Sequence, residues 1–117
     1  MLTPVGKVLR KLRIDHDERL ADMGERLGKS ASFLSAVEVG KKSPPEGFEE
    51  EIIAAYELSP EAADGLCTAA DRSRRQFVLK PESERALDTI GLLARRMSNL
   101  TDDSWDDIHD ILKRGQA

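Results

Sequence analysis

Between Val5 and Ala70 apolar residues recur at helical spacing in a series of short blocks, with glycine or proline marking most of the gaps. Short amphipathic helices of this kind bury their stripes only by packing on one another, which confines this stretch to a small helical bundle. Val5, Val8, Leu9 and Leu12 stand at i, i+3, i+4 and i+7 of a first helix, opposite Lys7, Arg10 and Lys11, and Pro4 suits its first turn. Leu20, Met23 and Leu27 form a second stripe that stops at Gly28, a residue suited to a left-handed helix end. Ser30 is placed to cap a short third helix ending near Gly40. The run Ser43-Pro44-Pro45-Glu46-Gly47 breaks the pattern, because adjacent prolines cannot lie inside a helix. Phe48, Ile52, Ile53 and Tyr56 then mark a fourth helix, and Ser59-Pro60-Glu61 opens a fifth through about Ala70.

The second half of the chain reads differently. From Asp71 to Pro81 the helical pattern lapses, and Gln76-Phe77-Val78-Leu79 reads as an extended connector. Ala86, Ile90, Leu93, Met97 and Leu100 then advance by four, three, four and three residues, the spacing of a helix that packs lengthwise against a partner helix. Thr101 can cap a last helix, with Asp102 and Asp103 at its positive end, Lys113 and Arg114 at its negative end, and Trp105, Ile108 and Leu112 as its stripe. Aromatic residues are few (three Phe, one Trp, one Tyr), which with scarce β-branched runs favours helix over sheet. The expectation is an all-α chain with a five-helix domain over 1–70, a connector over 71–81 and a helical region over 82–117.

Several function classes find no support in the residues. Cys67 is the only cysteine, so neither an intramolecular disulfide nor a thiolate zinc cluster is available, and its small apolar neighbours suggest a buried helical position. His16 and His109 have no companions at ligand spacing. Asp102, Asp103, Asp106, Asp107 and Asp110 alternate with apolar residues as on an exposed helix face, without the central glycine of a calcium loop. Phosphate-cradling glycine loops and nucleophile elbows are missing, so no enzyme, metal or cofactor is expected. No apolar run approaches the roughly 18 residues of a membrane span, and a reducing cytoplasm is the expected setting.

The net charge of −4 is unevenly distributed. Residues 1–45 carry +3, residues 46–81 carry −4 and residues 82–117 carry −3. A basic face on an otherwise acidic chain can bind phosphates while the acidic remainder limits indiscriminate association.

The most informative stretch runs from Leu20 to Pro45, where a helix, a glycine turn and a second short helix follow one another. Met23-Gly24-Glu25-Arg26-Leu27-Gly28-Lys29-Ser30, followed by Leu34-Ser35-Ala36-Val37-Glu38-Val39-Gly40-Lys41-Lys42-Ser43-Pro44, resembles the helix-turn-helix pattern of the Xre/Cro (lambda-repressor-like) transcriptional regulators. The resemblance covers about residues 5–58 and does not reach residues 71–117. It departs from the family pattern at Gly24, where Ala is usual, at Lys29, where an apolar residue is usual, and at Leu20, where a polar phosphate-contacting residue often opens the helix.

The resemblance implies a five-helix DNA-binding domain whose third helix enters the major groove of double-stranded DNA. It also implies a structural ion pair between Arg13 and Glu38 that fixes the third helix against the first. With Leu34 and Val37 turned inward, Ser32, Ser35, Ala36 and Val39 turn outward and are the base-reading candidates, together with Ser30, Ala31 and Phe33. No Arg, Lys, Asn or Gln is among them, so readout would rest on hydroxyls and on apolar contact with thymine methyls. Lys29, Lys41 and Lys42, flanking the third helix, and Arg19 are the phosphate candidates. The expected function is a dimeric repressor of a bacterial or phage operon, joined through the Ala86 to Leu100 stripe, the alternative for that stripe being packing onto Trp105 and Ile108 of the same chain. Two other readings stay open. One is the antitoxin of a toxin-antitoxin pair, with residues 82–117 holding a protein partner. The other is a protein-binding adaptor or anti-activator that keeps the fold without DNA readout.

Overall fold

A computed structural model describes residues 1–115, which are all-α with no strand. Seven helices are present among these residues: α1 (Pro4–Asp15), α2 (Leu20–Leu27), α3 (Ala31–Glu38), α4 (Phe48–Tyr56), α5 (Pro60–Arg72), α6 (Glu84–Arg96) and α7 (Asp102–Arg114). The chain divides into two compact units, Met1–Phe77 and Val78–Ala117. None of the helices is long and apolar enough to cross a membrane.

In the first unit the inner stripes of all five helices meet in one core. Val5 and Leu9 of α1, Met23 of α2, Leu34 and Val37 of α3, Phe48, Ile52 and Tyr56 of α4, and Leu66, Ala69 and Ala70 of α5 are all buried. Val8, Leu12, Leu20, Leu27 and Ile53 are partly buried around this cluster. Cys67 is half-buried, and desolvation raises its thiol pKa.

The helix ends follow capping chemistry. Thr3, Ser30 and Ser59 accept hydrogen bonds from the amides of Gly6, Phe33 and Ala62 at 3.1, 3.0 and 3.1 Å, opening α1, α3 and α5. Asp22 does the same at the start of α2 by accepting from the Arg19 amide at 2.9 Å. Gly28 closes α2 at φ +67°, where a side chain would be strained.

Two glycines let helices approach each other closely. A Cβ on Gly24 of α2 would lie 2.6 Å from the carbonyl oxygen of Lys29, and one on Gly6 of α1 would collide with the backbone of Glu38, 2.9 Å from its Cα. Backbone contact is thus what sets the α2 turn and the α1 to α3 crossing.

Residues just past α5 tie this unit together. Ser73 Oγ donates to Ala69 O at 2.8 Å and accepts from the Val5 amide at 3.1 Å, joining the end of α5 to the start of α1. Arg74 reaches across to α4 and to the loop before it. Both residues lie in the 71–81 stretch expected to be an extended connector, yet both belong to the first unit.

The second unit contains no buried residue in α6 or α7. Its leading helix is shorter than the apolar spacing implies. α6 stops at Arg96, Met97–Asn99 forms a single 3₁₀ turn, and Leu100 is extended before Thr101 caps α7 by accepting from the Ser104 amide. Met97 and Leu100 therefore do not continue the helical seam of Ala86, Ile90 and Leu93. Ser98 and Asn99 are weak helix formers, and the cap at Thr101 requires extended backbone at that position.

Candidate nucleic-acid interface

The third helix is held at its C-terminal end and exposed along one face. Its C-terminal end is fixed to α1 by Arg13 and Glu38, whose side chains are only 12% and 7% exposed. Arg13 Nη1 pairs with Glu38 Oε2, Arg13 Nη2 donates to Oε1 at 3.2 Å, and Nη1 also lies 3.8 Å from Met23 Sδ. The pair anticipated from the resemblance is therefore formed. Thr3 adds to it, since its amide and hydroxyl both donate to Glu38 O, at 2.9 and 3.1 Å. Nothing in the apolar pattern distinguishes Thr3, although a threonine just before Pro4 is itself a capping signal.

The outward face of α3 forms the floor of a shallow groove of about 390 Å³, lined by Leu20, Ala31, Ser32, Ser35, Ala36, Val39 and Lys41. Five of the seven base-reading candidates meet there. The other two do not. Ser30 uses its hydroxyl oxygen to cap α3. Phe33 is half-buried and packs edge to face on Phe48, with ring centroids 6.0 Å apart. Leu20, at the start of α2, supplies an apolar wall to the groove.

The four phosphate candidates stand in different situations. Lys41 and Lys42 are exposed, and among the described residues neither forms an ion pair. Their amides both donate to Ala36 O, at 2.8 and 3.1 Å, so the backbone that carries these ammonium groups is anchored to α3. Lys42 Nζ also lies 5.7 Å from the centre of the Phe33 ring. Lys29 is partly engaged, 3.4 Å from Glu51 of α4 and 6.0 Å from the Phe33 ring centre. Arg19 is 86% exposed, with a single 3.5 Å contact to Asp22.

Two further clusters brace this face. Glu18 accepts from Tyr56 Oη at 2.6 Å and from Arg26 Nε and Nη2 at 2.9 and 2.6 Å, joining the turn before α2 to α4. These bonds, that of Tyr56 first, hold the Glu18 carboxyl below its ordinary pKa, while burial pushes the Tyr56 hydroxyl up. His16 lies edge-on to Tyr56, with centroids 5.0 Å apart, and has a packing role here. In the second cluster Arg74 donates to Pro44 O and Pro45 O, both at 3.1 Å, and grips Glu49, so the loop downstream of Lys41 and Lys42 is pinned to α4 and to the end of α5.

Among the described residues no cluster of His, Cys, Asp and Glu could hold a metal ion. Comparisons with known protein families, curated proteins and solved structures find no match to this chain.

Proposed function

We propose that residues 1–77 form an Xre/Cro-type, lambda-repressor-like helix-turn-helix domain and that the chain is a homodimeric DNA-binding transcriptional regulator. In this reading α3 lies in the major groove, Lys41 and Lys42 contact the phosphate backbone, and the second unit supplies the dimer contact. The observation that carries the reading is the way α3 is mounted. Arg13 and Thr3 fix its C-terminal end while Ser32, Ser35 and Val39 stay exposed beside two unpaired lysines. A helix fixed from behind and open in front, with cations at its edge, suits insertion between two phosphate rims.

Two such helices in a dimer would address half-sites about 34 Å apart on a roughly palindromic operator. Occupying that operator would block polymerase and make the protein a repressor. Selection of duplexes from a random DNA pool by the purified full chain tests the reading, with an enriched inverted repeat as the expected result. If no motif is enriched at low salt, DNA recognition is lost as the function, and the protein-binding adaptor takes its place.

One observation favours the antitoxin as a second reading. Leu87, Leu92, Met97, Ile111 and Leu112 of the second unit are all more than half exposed, which suits a protein-binding surface. A small basic protein co-purifying in stoichiometric amount from the native host would select it.

A further inference from the structure

Every side chain on the floor of the α3 groove is small, and the groove's chemistry is incomplete for reading purines. Leu20, Ala31, Ala36 and Val39 present methyl and methylene groups, and Ser32 and Ser35 present hydroxyls. In the major groove guanine is read by Arg or Lys and adenine by Asn or Gln, and of these the groove has only a lysine, at its edge. Lys41 on the rim is the one long polar side chain lining it. What the major groove offers to an apolar recess is the 5-methyl group of thymine.

We propose that the groove between the start of α2 and the outer face of α3 is a 5-methylpyrimidine socket, so that thymine methyls set the sequence preference. This rests on the DNA-binding reading above and assigns the groove one occupant, the methyl-bearing edge of thymine in duplex DNA. Charge complementarity supports that occupant over a free apolar ligand. Lys41 lines the groove, and the exposed Lys42 and Arg19 are the chain neighbours of its lining residues Lys41 and Leu20, so positive charge accompanies a floor of methyls and two hydroxyls. Leu20 and Val39 sit at opposite ends of the motif in sequence yet line one groove. The serines between them add hydroxyls that serve any base as donor or acceptor, so they orient without discriminating strongly.

Binding of thymine-containing and uracil-containing duplexes tests the socket, because uracil lacks only the methyl group. Starting from the selected operator, each thymine is replaced by deoxyuridine in turn and the dissociation constant of the full chain is measured. Burial of one methyl predicts a loss of about fourfold per contacted thymine, and about 15-fold when both half-sites lose one. Deoxyuridine outside the motif should leave affinity unchanged. Val39→Ala and Leu20→Ala should each shrink the thymine preference, with helical circular dichroism retained.

Equal binding of uracil duplexes overturns the socket while leaving DNA recognition intact. So does a thymine preference that survives both variants, which would put the methyl outside the groove. A guanine-dominated motif abolished by Lys41→Ala also overturns it, by making Lys41 the base reader. Failure to select any DNA removes the socket together with the reading on which it rests.

Discussion

Arg74, two residues beyond the end of α5, grips Glu49 in the first turn of α4 through both carboxylate oxygens, Nη1 to Oε2 at 2.8 Å and Nη2 to Oε1 at 2.5 Å. With Pro44 O, Pro45 O and Asp71 Oδ1 as further acceptors, the guanidinium makes five hydrogen bonds, one for each of its N–H groups. The two side chains are only 13% and 10% exposed, so neither charge could be rehydrated cheaply if the other were removed. Arg74→Ala should therefore cost about 3 kcal/mol of unfolding free energy in urea titrations. Arg74→Lys should recover only part of this, because an ammonium cannot reproduce the forked contact. A loss below about 1 kcal/mol for Arg74→Ala would mean that the pair is no more than a surface contact.

Acid should weaken the same fastening. Hydrogen bonding from Arg74 is the main cause that holds the Glu49 carboxyl below its ordinary pKa of 4.5, and Glu18 is lowered chiefly by Tyr56. Because both are lowered on folding, their contribution is fully present above the unfolded carboxylate pKa and disappears as pH falls through the lower folded values. Tm should stay nearly level from pH 7 to about 5 and fall steadily below about 4.5. Glu49→Gln should flatten that fall. Identical acid slopes in the variant and the parent would exclude Glu49 as a source of it.

Gly24 separates the family pattern from this chain's own geometry. Alanine at this helical position would gain up to about 1 kcal/mol of helix propensity. Here its Cβ would lie 2.6 Å from Lys29 O, a backbone atom that cannot move aside without displacing the turn into α3. Gly24→Ala should thus destabilise by about 1–3 kcal/mol despite the propensity gain. A melting temperature equal to or above the parent's would show that the turn yields freely.

These cases mark what could be read from the residues and what could not. The stripes of α1 to α4 predict their part of the core because each helix buries the face its own spacing defines, from Val5 and Leu9 to Ile52 and Tyr56. By contrast α5, marked in the sequence only by its start and approximate end, adds Leu66, Ala69 and Ala70. The Arg13 to Glu38 pair was legible only through the resemblance, since two residues 25 apart carry no local signal of contact. Arg74 and Glu49 were hidden for the same reason, with the added obstacle that Arg74 follows the last helical stripe and reads as linker. Gly6 carries a signal in the sequence, since a glycine inside an otherwise regular helix hints at close backbone approach, and Glu38 supplies it. Phe33 stands among the outward candidates by its place in α3, but its ring packs on Phe48, a contact across the Ser43 to Gly47 loop that helical spacing does not encode.

The phosphate face makes a prediction that separates charge from base reading. Lys41 and Lys42 are unpaired among the described residues, whereas Lys29 already has Glu51 beside it. Replacing Lys41 and Lys42 by Ala in a dimer removes four phosphate contacts, so the slope of log affinity against log salt should flatten by about 3 to 4 units. Lys29→Ala should flatten it less. Weakening should be nearly uniform across DNA sequences, and an unchanged slope in the double variant would move the phosphate contacts elsewhere.

The proposed dimer contact must be smaller on α6 than the apolar spacing suggests, and this changes where it should be sensitive. With the helix ended at Arg96, only Ala86, Ile90 and Leu93 of the stripe remain on α6, less than two heptads and too little for a paired-helix seam alone. Both α6 and α7 have 13 residues and bury nothing, and isolated helices of that length are marginal in water. A second copy contributing the same two helices would let Trp105, Ile108 and Leu112 of α7 join the α6 residues in one shared core. Ile90→Glu and Leu112→Glu should therefore each yield monomers in sedimentation equilibrium and weaken operator binding at least tenfold, while the core of the first unit is untouched. Disruption by Ile90→Glu alone would confine the contact to α6, and a monomeric parent protein would leave the dimeric repressor without support.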